Sequence, residues 1–414
     1  MSESKFLLNR LSILLLIALF MLTPIHQFQK LIFIYPLFLV WFATSCSIDK
    51  NYFRRTENWW IYYVYFALLW LFFSTFHRNW EFLHFINHIF LTYMWVLMFV
   101  FYRSHKNIFS PLIYPTFGMI LVSCGYTYAG NMILPGSSRF LGSGSVEFSM
   151  EKEIALQLHV GGFGFIYSLT FLVIPLVDMM KLGNNKWQKL AMVIMLAAIA
   201  ATIVVASYFM AILFATFFIL LANSSSRKMS HTAIILAFFS VLLYVVKDYI
   251  LMGLMDLGQM IDSNMLYARA EQMLEGTYQS HYEEEGNLSR FDLMKNGMLN
   301  FLASPVIGQM SSQAPNLASG HSEIIGYFEK YGVFGIAYIL FFVKVYKLSR
   351  NTFVTDQGRM MYTFLFIGIV CVAMFNTFSI SCEAGLVGFF LAPLLMATYE
   401  RPEQKYRLNK NIKK

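Results

Sequence analysis

An all-α protein threaded repeatedly through a membrane is the fold class this sequence predicts, and three observations predict it. Of the 414 residues, 57% are hydrophobic and only 13% charged, about half the charged fraction of a soluble domain. Apolar runs near the length needed for a helix to cross a bilayer, about 20 residues, recur along the whole chain. The alternating apolar–polar pattern of β-barrel strands is absent. A formal net charge of +8 raises the question of nucleic acid. The positive residues lie in short loops and the C-terminal tail, where the positive-inside rule places them, so no nucleic-acid partner is expected.

About twelve spans are expected, near residues 8–24, 31–48, 59–76, 84–102, 111–130, 155–180, 189–206, 208–222, 232–251, 321–346, 361–380 and 384–400. Together they read as one integral membrane domain covering 1–414. The N-terminal MSESKFLLNR precedes an apolar run, but the bulky, polar MLTPIHQ that follows offers no small-residue cleavage site. The first span is therefore read as uncleaved. Cys46, Cys124, Cys371 and Cys382 sit in or beside apolar runs without metal-type spacing, which makes them packing residues.

Loop charge sets the orientation. With the N-terminus inside, twenty-two of the 31 Lys and Arg residues fall on the inner side, so both termini are expected to be cytoplasmic. Two outer loops then stand out, 131–153 with the sequence ILPGSSRFLGSGS, and the long segment 252–320. Connections of this length usually carry function or are disordered. Within the second, Phe291, Met294, Met298 and Phe301 recur at helical spacing. Asn287 or Ser289 would cap this helix and Ser304-Pro305 would end it. The long loop therefore reads as short amphipathic helices lying on the outer membrane surface or packed on the bundle.

Four arginines face outward, Arg78, Arg139, Arg269 and Arg290. Arg139 lies among Gly, Pro and Ser, and Arg290 opens the amphipathic helix before the Pro305–Gly308 turn. An exposed Arg is most often merely solvated; beside a structured turn it also suits bidentate capture of a phosphate. The triplet His321-Ser322-Glu323 stands where the next span begins, an ionisable cluster at a membrane–water boundary. Glu329 follows about two turns after His321. The helix start offers backbone N–H groups and a positive dipole end to an anion. His321 suits either a phosphate contact or proton acceptance from a sugar hydroxyl, set against the plainer role of helix cap. Gly326, Gly332 and Gly335 read as sites of close helix packing. No Asp-x-Asp pair, His/Cys metal cluster, phosphate-binding Gly loop or nucleophile elbow occurs in the sequence, so ATP-driven transport and metal-dependent sugar transfer lose support.

The order of these features resembles the O-antigen polymerase and O-antigen ligase superfamily. An outer-loop Arg in ILPGSSRFLGSGS is followed by Arg290, an amphipathic helix and the turn Ala303-Ser304-Pro305-Val306-Ile307-Gly308. The His motif SGHSEIIGYFEKYGVFG comes last. Glu329, Gly332 and Gly335 match the family's Glu-x-Gly-hydrophobic-hydrophobic-Gly ending with one extra residue after the Glu. The motif matches cover about 131–145 and 289–336. One departure is that many members carry a Ser-Arg pair near the seventh and eighth spans, where this chain reads ASYFMAILF.

The resemblance implies a GT-C-like membrane glycosyltransferase of the bacterial cytoplasmic membrane. It would polymerise undecaprenyl-diphosphate-linked oligosaccharide repeat units for O-antigen, capsule or exopolysaccharide on the outer face. Arg139 and Arg290 would bind the diphosphate, His321 would act as base or phosphate contact, and Glu323 as supporting or alternative base. No cofactor and no metal are expected. Membrane lipid, a chain-length regulator and a flippase are the further partners implied. A ligase moving finished polysaccharide to another lipid shares these motifs, and the polymerase-like ILPGSSRFLG favours polymerisation. A flippase should carry charges through many spans, whereas here Lys247 and Asp248 are the main mid-span charges.

Overall fold

The computed structural model describes residues 2–28, 31–77, 82–141, 149–182, 185–207, 290–308, 322–375 and 382–400, with a few isolated positions between 210 and 259. Among them every regular element is helical. Among the described residues seven helical segments are long and apolar enough to cross a membrane: Glu3–Met21, Leu31–Ile48, Lys106–Ile133, Phe163–Lys181, Lys186–Ala206, Glu323–Arg350 and Asp356–Met374, of which Lys106–Ile133 and Glu323–Arg350 are interrupted by 3-10 turns. The spans expected near 59–76 and 84–102 coincide with helices Tyr52–His77 and Phe82–Tyr102. Those at 208–222 and 232–251 lie almost wholly outside the described residues, as does most of 252–320.

Helices α1 (Ser2–Met21) and α2 (Leu31–Ile48) form a tight antiparallel pair. What fixes their register is polar. Asn9 is fully buried and donates to Thr44 Oγ1 (3.1 Å) and Ser45 Oγ (2.9 Å). Tyr102 on α4 (Phe82–Tyr102) donates its hydroxyl to Asn9 Oδ1 (2.7 Å) and accepts from Trp41 Nε1 (3.1 Å). A buried side-chain network of this kind ties helices together where apolar contacts alone do not distinguish registers. Pro36 sits in the second turn of α2, past the first-turn positions where a helix N–H is left unbonded anyway. Helix α3 (Tyr52–His77) returns along α4, and the Tyr52 hydroxyl donates to Leu97 O (2.8 Å).

The short helix α5 (Lys106–Phe109) leads through a 3-10 turn at Ser110–Leu112 into α6 (Ile113–Ile133). Two short helices follow, α7 (Ser137–Phe140) and α8 (Ser149–Gln157), then α9 (Phe163–Leu182) and α10 (Lys186–Ala206). Helix α9 is the central post: 83% of its span is buried, against 28% for α2. Around it stand α10, α14 (Asp356–Phe375) and the terminal pair α15 (Cys382–Gly385) and α16 (Ala392–Tyr399), joined by a π turn at Leu386–Leu391. Glu400 closes the last helix against the start of α14, accepting from Val354 N (2.9 Å) and Thr355 N (2.6 Å).

Two expected spans are interrupted. The one read at 155–180 begins at Phe163, because His159 takes φ 54° and Gly161 N turns away to donate to Thr127 Oγ1 (2.9 Å). The one read at 321–346 is two helices, α12 (Glu323–Tyr331) and α13 (Ile336–Arg350), separated by a 3-10 turn at Gly332–Gly335. Gly332 adopts φ 58°, a left-handed conformation that ends a helix and suits glycine.

Candidate functional site

The sequence motifs between residues 290 and 338 come together as one built unit. Helix α11 (Arg290–Ala303) packs along α12. Asn300 donates from Nδ2 to Glu329 Oε1 at 2.7 Å, and Phe301 meets Phe328 edge to face at 5.6 Å. As expected from Ser304-Pro305, α11 stops at Ala303. The following turn docks on the far end of α12, where Val333 N donates to Pro305 O (2.8 Å). Two glycines make this approach possible. A Cβ on Gly308 would lie 2.3 Å from Lys330 O, and one on Gly332 would lie 2.5 Å from Val306 O. The sequence reading of Gly332 as a close-packing site therefore holds, but its neighbour is the turn after α11, at a positive φ. Gly335 lies against its own preceding helix, with Tyr327 O 2.7 Å from a built Cβ.

Glu323 opens α12 and is almost wholly buried, at 3% exposed. The hydroxyl of Tyr338, on the first turn of α13, donates to Glu323 Oε1. Tyr338 in turn stacks on Tyr327, with ring centroids 4.0 Å apart and planes at 11°. The break at Gly332–Gly335 folds α13 back far enough for Tyr338 to reach the head of α12. Ser322 caps α12 by accepting from Ile325 N (3.3 Å), the role its residue type favours. With that cap in place and a carboxylate on the first turn, part of the anion-attracting character read at this helix start is already spent internally.

Arg139 lies in a second built element. Its helix, α7, packs against α6, α8 and α10. Asn131, fully buried at the end of α6, donates from Nδ2 to Thr127 O (2.9 Å) and Ser138 Oγ (2.8 Å). The residue beside Arg139 is thereby fixed to α6. Gly136 at φ 83° makes the preceding turn. The backbone of Arg290 is the first residue of α11. His321, Arg78 and Arg269 lie outside the described residues.

Structure thus joins the Arg290 helix with Glu323 and Glu329, and it anchors the Arg139 helix separately on α6. Sequence reasoning missed Asn300, Tyr338 and Asn131. None of the three left a local signal, because each acts on a group distant along the chain or on another element. Among the described residues no group of three or more His, Cys, Asp or Glu side chains is arranged to hold a metal ion.

Among the described residues every regular element is helical and seven segments are long and apolar enough to cross a membrane, an architecture that fits a polytopic membrane protein. Comparison with protein-family models, with curated proteins and with solved structures finds no match for this chain in any of the three.

Proposed function

We propose that this protein polymerises oligosaccharide repeat units carried on undecaprenyl diphosphate, at the outer face of the bacterial cytoplasmic membrane. The observation that carries the reading is the single unit made by α11, the Pro305–Gly308 turn and α12, held by the Asn300–Glu329 and Pro305–Val333 hydrogen bonds. It brings the helix that begins with Arg290 against the helix that begins with Glu323, which is what a reaction needing both an anion clamp and a base requires.

In that reaction an acceptor sugar hydroxyl gives its proton to His321 or to Glu323. Its oxygen attacks the anomeric carbon of the growing chain. A new C–O bond forms, the bond to the diphosphate breaks, and undecaprenyl diphosphate leaves with the electron pair. Charge developing on the diphosphate is met by Arg139 and Arg290, since hydrogen-bond donors aimed at a developing charge stabilise the transition state. A base of tuned position takes the proton. Tyr338, by donating to Glu323 Oε1, fixes the direction of that carboxylate. Because the leaving group is already a diphosphate, two guanidinium groups suffice for its charge, and the chemistry is proposed to run without metal.

The test is purified protein in liposomes supplied with short lipid-linked repeat units. A ladder of polymer, unaffected by EDTA, is the expected product. Transfer to a different lipid acceptor would make the protein a ligase. Movement of the lipid-linked sugar across the bilayer without a new bond would make it a flippase. Loss of the ladder with EDTA and its return with magnesium would overturn the metal-free reading.

A further inference from the structure

We propose that Glu323 and Tyr338 form a clasp that holds α12 folded back on the start of α13, so that Glu323 is a positioning residue for the site and not its proton acceptor. The proposal rests on the polymerisation reading and narrows it, since that reading left the proton to either His321 or Glu323.

Three contacts along α12 set the fold-back. A Cβ on Gly335 would lie 2.7 Å from Tyr327 O, which puts the end of the 3-10 turn against the middle of α12. Three residues on, the Tyr338 ring stacks on Tyr327 at 4.0 Å. Its hydroxyl donates to Glu323 Oε1 at the head of the helix. Glu323 and Tyr327 are four residues apart and share one face of α12, the face turned to α13.

The helix that begins with Arg290 packs on the other side. Phe328 and Glu329 lie about 140° and about 240° around α12 from Glu323, at roughly 100° per residue. They meet Phe301 and Asn300 of α11. Helix α12 therefore stands between α11 and α13, and the Glu323 carboxylate points away from the face that receives α11.

Burial agrees with that placement. Glu323 is 3% exposed, and the two rings beside it, Tyr338 and Tyr327, are 5% and 7% exposed. A base must come within about 3 Å of the hydroxyl it deprotonates, and on this side of α12 the approach is filled by aromatic rings. A carboxylate buried this far needs a donor, and Tyr338 supplies one. The clasp acts on the site through the backbone. It fixes the head of α12, which Ser322 caps by accepting from Ile325 N, and so it fixes the direction in which the chain arrives from His321, the preceding residue in sequence.

The test is the liposome polymerisation assay on full-length Glu323→Ala, Glu323→Gln and Tyr338→Phe. Unfolding temperature in detergent is measured on the Ala and Phe variants and on their double variant. Tyr338→Phe leaves the carboxylate in place, yet it and Glu323→Ala should each lower kcat by about ten- to a hundredfold, the scale of a reacting group displaced by about an ångström. Glu323→Gln keeps an oxygen for Tyr338 but takes no proton. It should recover most of the Ala loss and keep the wild-type pH dependence of kcat. In the double variant the drop in unfolding temperature should fall short of the sum of the single drops, because one bond is lost only once. A loss of about a hundredfold or more in Glu323→Gln, the scale of a missing general base, with Tyr338→Phe near the wild-type rate, would overturn the proposal. So would additive drops in unfolding temperature. A wild type that makes no polymer would end the polymerisation reading and the positioning role with it, while the unfolding cycle would still decide the clasp.

Discussion

Asn300 and Glu329 stand 29 positions apart and meet through a 2.7 Å hydrogen bond, Asn300 Nδ2 donating to a carboxylate that is fully buried. This bond, with the Phe301–Phe328 contact beside it, is the seam between the amphipathic helix and the head of the α12–α13 span. Removing one partner of a buried hydrogen bond to a charged group costs more than the bond contributes on balance. Asn300→Ala is therefore expected to lower stability by about 1–3 kcal/mol, read as a lower unfolding temperature of the detergent-purified protein. Unchanged stability would show that the seam is held by the turn alone.

Gly332 offers a sharper case. Its φ of 58° and the two carbonyls within 2.6 Å of a built Cβ, Val306 O and Pro305 O, leave no room for alanine. Gly332→Ala should cost roughly 1–3 kcal/mol from backbone strain alone, with the displaced turn adding to it. Gly118→Ala is the matched control, because nothing lies within 4 Å of its built Cβ. Folded yield after mild heating, compared for the two variants, checks the difference.

On the proposed reaction, Arg290→Ala and His321→Ala should abolish polymer while protein level and membrane insertion stay normal. A lost contact to the leaving diphosphate costs about 2–4 kcal/mol in the transition state, or roughly 30- to 1000-fold in rate. Arg290→Lys should recover only part of it, keeping charge without the forked geometry. Neutralising Glu283, Glu284 and Glu285 should change nothing. Near-normal polymer from His321→Ala would return that residue to a helix-start packing role and direct attention to Arg139.

Asn131 separates placement from contact. It fixes Ser138, the neighbour of Arg139, without being the guanidinium itself. Asn131→Ala should lower the polymerisation rate toward that of Arg139→Ala. Asn131→Asp, which keeps an acceptor for Ser138 N but loses the donor to Ser138 Oγ, should fall between. Wild-type rates in both variants, measured at equal protein level, would show that α7 needs no anchor on α6.

The charge distribution predicts both termini and 223–231 on the cytoplasmic side, with 131–153 and 252–320 outside. In a cysteine-free background, Ser143→Cys and Gln279→Cys should react with an impermeant thiol reagent in intact cells once any outer barrier is opened. Ser225→Cys should react only after lysis. The reverse pattern would invert the topology.

Membrane-spanning character was legible in the sequence because bilayer thickness imposes a length and a composition on each span, and both can be read residue by residue. The stop of α11 after Ala303 was legible for a similar reason: Ser304-Pro305 is a local signal acting on its own backbone. What the sequence left open depends on groups distant along the chain. Tyr338 follows Glu323 by 15 positions, and only the break at Gly332–Gly335 sets the two side chains together. Asn300 looks like any polar residue on an amphipathic helix until Glu329 is placed opposite it. The glycines were read as generic packing sites, since φ and the neighbouring carbonyls are properties of the folded backbone. The seat of α11 was likewise undecided by spacing, because one apolar face serves equally at a membrane surface or on the bundle. The tertiary structure decided it by laying α11 along α12 and bonding its turn to Val333, contacts between residues distant along the chain.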